Sequence, residues 1–102
     1  MDIYFAARST AQLEAVCEGL RMELELPEFA FDVHDTWRYG WSEREGLRLN
    51  ITKAQDYRTI ETWIPGSPTG VNYQLILTAD LEPPKFVAVA AELLGTEVVR
   101  YR

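Results

Sequence analysis

The sequence has little of the chemistry that most enzyme and metal sites require. Its 102 residues include one cysteine, Cys17, and one histidine, His34. No internal disulfide can form, and a zinc site would lack its usual ligands. The six glycines form no phosphate-binding loop, and no serine lies in a nucleophile motif. The sequence therefore predicts no metal and no cofactor, and it favours a protein that is not an enzyme.

Long apolar segments are also missing. No run approaches the roughly 20 apolar residues that cross a bilayer, and the N-terminus lacks the basic and apolar regions of a signal peptide. Together with the unpaired cysteine, these features predict a cytoplasmic protein that binds no membrane. The length fits one α+β domain, residues 1–102, and a hydrophobic content of 47% is enough to fill its core.

Positive charge is scarce, and negative charge is concentrated in one segment. The net charge is −6, from 16 acidic and 10 basic residues. Residues 12–45 hold nine acids and three bases, whereas seven acids balance seven bases in the rest of the chain. Such a surface keeps a protein soluble, repels the phosphates of nucleic acids and attracts a basic partner. We therefore expect no nucleic-acid binding.

Two amphipathic helices are predicted. Residues 2–7 alternate as a first strand. Ser9 then opens a helix with Gln12 as its capping-box partner, and Pro27 stops this helix or follows closely on its end. Pro83 and Pro84 are expected in the first turn of a second helix, with Gly95 as its stop. The apolar stripe of the first helix is Leu13, Val16, Cys17, Leu20 and Leu24.

Strand-forming segments fill the remainder of the chain. Residues 98–101 form a closing strand, and a loop over 40–46 joins two strands as a hairpin. In the first strand of that hairpin, Trp37 and Tyr39 follow the apolar alternation and are expected in the core. The strands predicted between the helices cover residues 29–39, 47–52, 57–64 and 71–79.

The resulting order is β-α-β-β-β-β-α-β. Two helices separated by an antiparallel meander find apolar cover most simply on one face of the sheet, which predicts a ferredoxin-like or split β-α-β variant with extra hairpin strands. The other face would be open. Part of it would be lined by a polar set: Asp32, His34, Thr36, Arg38, Arg48, Asn50 and Thr52.

The same region carries the candidate binding residues. Trp41 follows a glycine in a charged loop, either as a lid on the core or as an anchor for a partner, and Trp63 is a second candidate anchor. Tryptophan, tyrosine and arginine dominate interface hot spots. The predicted partner-binding residues are Asp32, His34, Asp35, Arg38, Trp41, Glu43, Glu45 and Trp63.

The chain resembles the immunity proteins of bacterial polymorphic and contact-dependent toxin systems. The features that carry this resemblance are its small size, the negative charge in one segment, the expected α+β fold and the lack of a catalytic set. The resemblance is one of profile over the whole chain. It implies that the chain binds a cognate toxin domain, often a basic nuclease, and occludes its active site. The groups that would pair with the toxin's Lys and Arg are Asp32, Asp35, Glu43 and Glu45, and Trp41 would fill a pocket.

Two alternatives from other classes remain open. Ferredoxin-like chains of this length also form homodimeric α+β barrels, some of which are cofactor-free monooxygenases or isomerases. In such a barrel His34 would act as acid or base. Its pocket would draw on His34, Asn50, Trp37 or Tyr73. The other alternative is a non-catalytic ligand-sensing or subunit domain of a larger assembly.

Overall fold

An antiparallel sheet covered by two helices on one face forms the scaffold, which confirms the expected α+β fold. The computed structural model describes residues 1–34, 37–55, 66 and 68–102. Helix α1 covers Leu13–Leu24 and helix α2 covers Phe86–Leu94. The strands are β1 (Asp2–Ala7), β2 (Ala30–His34), β3 (Trp37–Arg44), β4 (Leu47–Ala54), β5 (Tyr73–Ala79) and β6 (Val99–Arg100).

The described strands form one sheet in the order β2-β3-β4-β5-β1-β6, with antiparallel neighbours throughout. The part β6-β1-β5-β4, with one helix after β1 and one before β6, is the ferredoxin-like arrangement. Strands β3 and β2 extend it as an extra hairpin at one edge. The strand expected at 57–64 lies outside the described residues.

The helices lie on one face because each has a single apolar stripe to bury. All five predicted stripe residues of α1 are buried, and Phe86, Ala90 and Leu94 of α2 are buried with them. Gly19 lets the two helices approach closely, since a Cβ built on it would lie 2.4 Å from Leu93 Cδ2. The strands complete this core with Ile3, Phe5, Leu49, Ile51, Tyr73, Leu75 and Leu77.

The helix ends agree only in part with the sequence signals. Gly95 is the C-terminal stop of α2, and its N–H donates to the Ala91 carbonyl at 2.8 Å. The prediction that Pro83 and Pro84 form the first turn of α2 is wrong, because the helix begins at Phe86. The predicted capping box of α1 is wrong, because the helix begins at Leu13 and Gln12 makes no side-chain cap. Ser9 is buried instead, where its hydroxyl donates to the carbonyl of Leu94 at 2.5 Å. The same hydroxyl accepts the N–H of Ala11 at 3.0 Å, so it stabilises the loop before α1 and does not cap the helix.

The prediction of one continuous strand over 29–39 is also wrong. The chain reverses after His34, and β2 pairs back onto β3 with His34 opposite Trp37. Strand β3 then continues to Arg44, through most of the predicted loop over 40–46. Because His34 and Trp37 are paired on neighbouring strands, their side chains point to the same face of the sheet. In one continuous strand the same two residues, three positions apart, would point to opposite faces. The reversal therefore moves the side chains of β3 to the faces opposite to those predicted.

Gly40 permits a close contact at this hairpin. It lies opposite Phe31, and a Cβ built on it would be 2.8 Å from Phe31 Cε1 and 3.3 Å from Cys17 Sγ. The glycine thus lets the Phe31 ring lie across β3 and reach towards α1.

We expect Gly40→Ala to destabilise the protein by about 1–3 kcal/mol, because the added methyl group displaces the Phe31 ring. The measurement is the free energy of unfolding in urea. In a Phe31→Ala background the same substitution should cost less, since the displaced ring is gone. Additive costs in the double variant would contradict the contact.

Candidate functional site

The distal face, meaning the sheet face opposite the two helices, receives several of the predicted binding residues. Asp32 and Trp41 are placed there by the pairing of β2 with β3, in which Asp32 lies opposite Tyr39. The rings of Tyr39 and Trp41 stack with centroids 5.6 Å apart, and the Tyr39 hydroxyl lies 3.5 Å from Asp32 Oδ2. Trp41 is therefore part of β3, half-buried beside a tyrosine. His34 and Glu43 share this face.

Trp37 is buried as expected, but on the unexpected side of the sheet. It is 4% exposed and packs in a second apolar cluster with Ala6, Ala54 and Val71, against which Tyr101 also packs. The alternation predicted burial of this residue in the helix-side core. The distal face instead supplies its own apolar contacts, so Trp37 stays buried after the change of face.

Strand β2 is an exposed edge. All five of its residues are exposed, and the apolar side chains of Phe31 and Val33 are 42% and 60% exposed. Among the described strands it pairs only with β3. The N–H of Val33 donates to Asp32 Oδ1 at 2.7 Å. An edge of this kind is a template for a further strand. Sequence reasoning missed it, and the one local signal was Asp35, a residue type favoured in turns and depleted in strands.

Arg38 does not join the predicted binding set on the distal face. The reversal places it on the helix side, where it forms an ion pair with Glu14 of α1. Both side chains are about half exposed. A hydrogen bond from the backbone of Glu14 to its own carboxylate lowers the pKa of that carboxylate, and the ion pair with Arg38 lowers the pKa further. Arg38 thus ties the extra hairpin to α1.

Glu43 and Glu45 lie where the β3–β4 hairpin meets the end of α1. Arg44 Nε donates to the carbonyl of Leu24 at 3.1 Å, which holds the hairpin against the helix. Arg48 lies opposite Glu43 in the register. Carboxylates from the helix end, the following linker and the hairpin therefore gather at one end of the molecule. This acidic end comprises Glu23, Glu25, Glu28, Glu43 and Glu45, all exposed.

A cationic cleft lies at the opposite end of β3 and β4. Its volume is about 1000 Å³. The described residues that line it include three bases (Arg8, Arg38 and Lys53) and no acid. The charged side chains of this described lining are therefore of the sign opposite to the net charge of −6. The uncharged polar residues of its lining are Ser9, Thr10, Gln12, Gln55, Asn72 and Thr96.

The residues proposed for an enzymatic pocket are divided between the two faces. His34, Trp37 and Asn50 point to the distal face, whereas Tyr73 points to the helix side. The Tyr73 hydroxyl donates to the carbonyl of Ala11 at 2.7 Å, and burial raises its pKa. Tyr73 is a structural hydrogen-bond donor in this arrangement. Two other predicted residues, Asp35 and Trp63, lie outside the described part of the chain.

The chain matches no family model, no curated protein and no solved structure. Neither of the described helices is long and apolar enough to cross a membrane.

We expect Cys17 to be chemically inert in the folded protein. Burial first, and then the charge of Glu14, raise the pKa of its thiol to about 12. Since the thiolate is the reactive form, a rise of about three pKa units lowers the reactive fraction by about 1000-fold at pH 8. Ellman's reagent should therefore react slowly with native protein and rapidly in guanidinium chloride. Equal rates in both states would contradict the burial.

We expect the Glu14 carboxylate, through its backbone hydrogen bond and its ion pair with Arg38, to make stability depend on pH. The folded pKa of Glu14 lies below its ordinary value of 4.5, so its contribution is complete above pH 4.5 and is lost as the pH falls through the folded pKa. Glu14→Gln should lower stability at pH 7, by less than about 1 kcal/mol because the pair is half exposed, and should have a smaller effect at pH 3. Urea midpoints at the two pH values measure this. An equal effect at both would show that the ionised carboxylate of Glu14 contributes nothing.

Proposed function

We propose that this chain is a protein-binding module that neutralises a basic protein domain in the cytoplasm by covering its active site, as the immunity proteins of bacterial toxin systems do. The observation that carries the proposal is the exposed edge of β2. This strand offers a backbone edge, two exposed apolar side chains and an adjacent pair of stacked aromatic rings on one projecting hairpin.

The edge supports a specific mode of binding. A strand of the partner adds to β2, so that main-chain hydrogen bonds supply affinity and side chains on alternate positions supply specificity. Phe31 and Val33 contact the partner on the helix side of the sheet. Asp32 contacts it on the distal side, next to Tyr39. The added strand therefore meets an apolar surface on the helix side of the sheet and an acidic, aromatic surface on the distal side.

Charge supports a basic partner. Asp32 and Glu43 lie on the distal face of the hairpin, and the acidic end continues from Glu43 along the β3–β4 turn. Carboxylates in this arrangement attract Lys and Arg side chains over a Debye length, which speeds association and disfavours acidic partners. Trp41, stacked on Tyr39, adds an aromatic contact beside these charges.

We expect Asp32→Lys/Glu43→Lys to weaken binding of the natural partner by about 100-fold or more, since two attractive charges become repulsive. The partner is captured from the native cell with the wild-type chain, identified, purified and titrated. The matched control is Glu92→Lys/Glu97→Lys, which changes net charge equally at exposed positions away from the hairpin. If the partner is toxic when expressed alone, the wild-type chain should restore growth and the hairpin variant should not.

The edge itself is tested by Val33→Pro. Proline removes the N–H that donates to Asp32 and leaves a β2 edge that a further strand pairs with poorly. Binding should fall while the fold persists. An acidic partner, or equal losses in the hairpin and control variants, would show the proposed surface to be wrong.

A further inference from the structure

We propose that Asp32 determines which strands can add to the edge of β2. It excludes a second copy of this chain, and it admits a partner strand that carries Lys or Arg opposite Asp32. The second half rests on the proposed addition of a partner strand, whereas the first half requires only the exposed edge. Asp32 is suited to this role because it is exposed at the centre of Ala30–His34 and binds a backbone N–H of the same strand.

The backbone of β2 points outward at Phe31 and Val33. The N–H of Val33 donates to Asp32 Oδ1 at 2.7 Å, an acceptor on its own strand, which indicates that it does not point into the ladder with β3. Residues of an antiparallel pair alternate between those that exchange hydrogen bonds with the neighbour and those whose backbone groups point away from it. Phe31, two residues earlier, therefore points outward as well.

The register of the β3–β4 hairpin gives the same result. Arg44 and Leu47 flank its two-residue turn, so they exchange hydrogen bonds with each other. Alternation then directs the backbone groups of Arg38 and Gly40 towards β4 and away from β2. The two β2 residues that lie opposite them are Phe31 and Val33. The backbone groups of these two residues form the outer edge of the sheet.

Two copies of the chain would pair through these outward groups. In the antiparallel register that places Phe31 of each copy opposite Val33 of the other, both outward residues of both copies are paired. The same register places the two Asp32 carboxylates directly opposite each other on one face, with their Cβ atoms about 5 Å apart, and like charges in that position destabilise a sheet. A shift by two residues pairs only one outward residue of each copy within Ala30–His34. The antiparallel register with the most hydrogen bonds is therefore the one that Asp32 opposes.

Asp32 also occupies a donor of the edge. Its Oδ1 accepts the Val33 N–H, and its Oδ2 lies 3.5 Å from the Tyr39 hydroxyl. An added strand that pairs with Val33 needs that N–H, so the carboxylate has to turn away from it. A Lys or Arg side chain opposite Asp32 provides a new donor for the carboxylate, whereas a second aspartate provides none. A basic residue thus neutralises the charge and releases the N–H together.

The neighbouring positions define the remainder of the partner strand. Its residues on either side of the basic residue point to the helix side of the sheet, where Phe31 and Val33 are 42% and 60% exposed. Apolar side chains at these positions would cover both. The partner strand that fits this edge therefore reads apolar, basic, apolar.

A variant of the chain itself supplies a probe with a basic residue at this position. We expect the wild type and Asp32→Lys to be monomeric when alone, because each would place like charges opposite each other, and an equimolar mixture to form a heterodimer. The measurement is sedimentation equilibrium at about 0.15 M salt, where distant charges are screened. The heterodimer should have a dissociation constant below about 1 mM, at least about tenfold below that for self-association of either chain.

A second variant tests the exclusion without a new charge. Asp32→Val removes the repulsion and releases the Val33 N–H in both copies. We expect it to form a homodimer at least about tenfold more tightly than the wild type, since two hydrogen bonds become available and the facing charges are gone. Amide hydrogen exchange should slow at Phe31 in both the homodimer and the heterodimer.

Two controls locate the contact. Glu43→Lys makes the same charge change on the distal face of β3, outside β2, and should form no heterodimer with the wild type. Adding Val33→Pro to Asp32→Lys removes an outward N–H and should abolish the heterodimer. Asp32, Val33 and Glu43 are all exposed, so these substitutions remove no buried contact.

Four results would overturn the inference. A wild-type dimer that Val33→Pro dissociates, or an Asp32→Val chain that stays monomeric, would contradict the exclusion of a second copy. A mixture of wild type and Asp32→Lys that stays monomeric, or a Glu43→Lys chain that pairs with the wild type equally well, would contradict the selection of a basic residue.

These measurements do not use the natural partner, so they are independent of the proposed function. If the natural partner binds elsewhere on the chain, the proposed function fails and the exclusion by Asp32 stands. If Val33→Pro abolishes binding of the natural partner while Asp32→Val stays monomeric, the proposed function stands and the exclusion fails.

Discussion

The pairing of His34 with Trp37 is the constraint on which the arrangement of this surface depends. A strand has a period of two, so the point of chain reversal decides which face receives each later side chain. The reversal sends Tyr39 and Trp41 to the distal face and sends Arg38 to the helix side. One local event thereby creates both an aromatic, acidic hairpin surface and a cation at the mouth of the cleft.

The charges of the chain are separated along β3 and β4. At one end the strands meet α1 and its following linker, where glutamates collect around Arg44. At the other end Arg38 and Lys53 lie side by side in the register. Strands that are eight residues long hold the two ends about 25 Å apart, which exceeds the Debye length in the cell. Each end therefore presents its own field to an approaching ligand or protein.

The core was predictable because its signals are local and repeated. The α1 stripe from Leu13 to Leu24 recurs at helical spacing, and Tyr73, Leu75 and Leu77 alternate in β5. Each pattern therefore identifies the face of its element that is buried. The extra hairpin was not predictable in the same way. Large residues continue to alternate across the reversal, and Trp37 is buried on the distal face although the alternation predicted burial on the helix side, so burial alone does not distinguish a continuous strand from a folded one. The role of Ser9 was hidden for a similar reason, since its acceptor on α2 lies 85 residues away in sequence.

What the sequence by itself determined is the α+β fold class, the apolar stripe of α1, the burial of Cys17 and the excess of negative charge in residues 12–45. These follow from composition and from periodicities that act over a few residues. Only the tertiary structure decided where the charged groups lie on the folded molecule. The exposed edge of β2, the acidic end and the cationic cleft each join side chains from separate elements, and strand register and helix packing set those distances. Such contacts cannot be predicted from the spacing of residues along the sequence, because their energies arise only once the chain has folded.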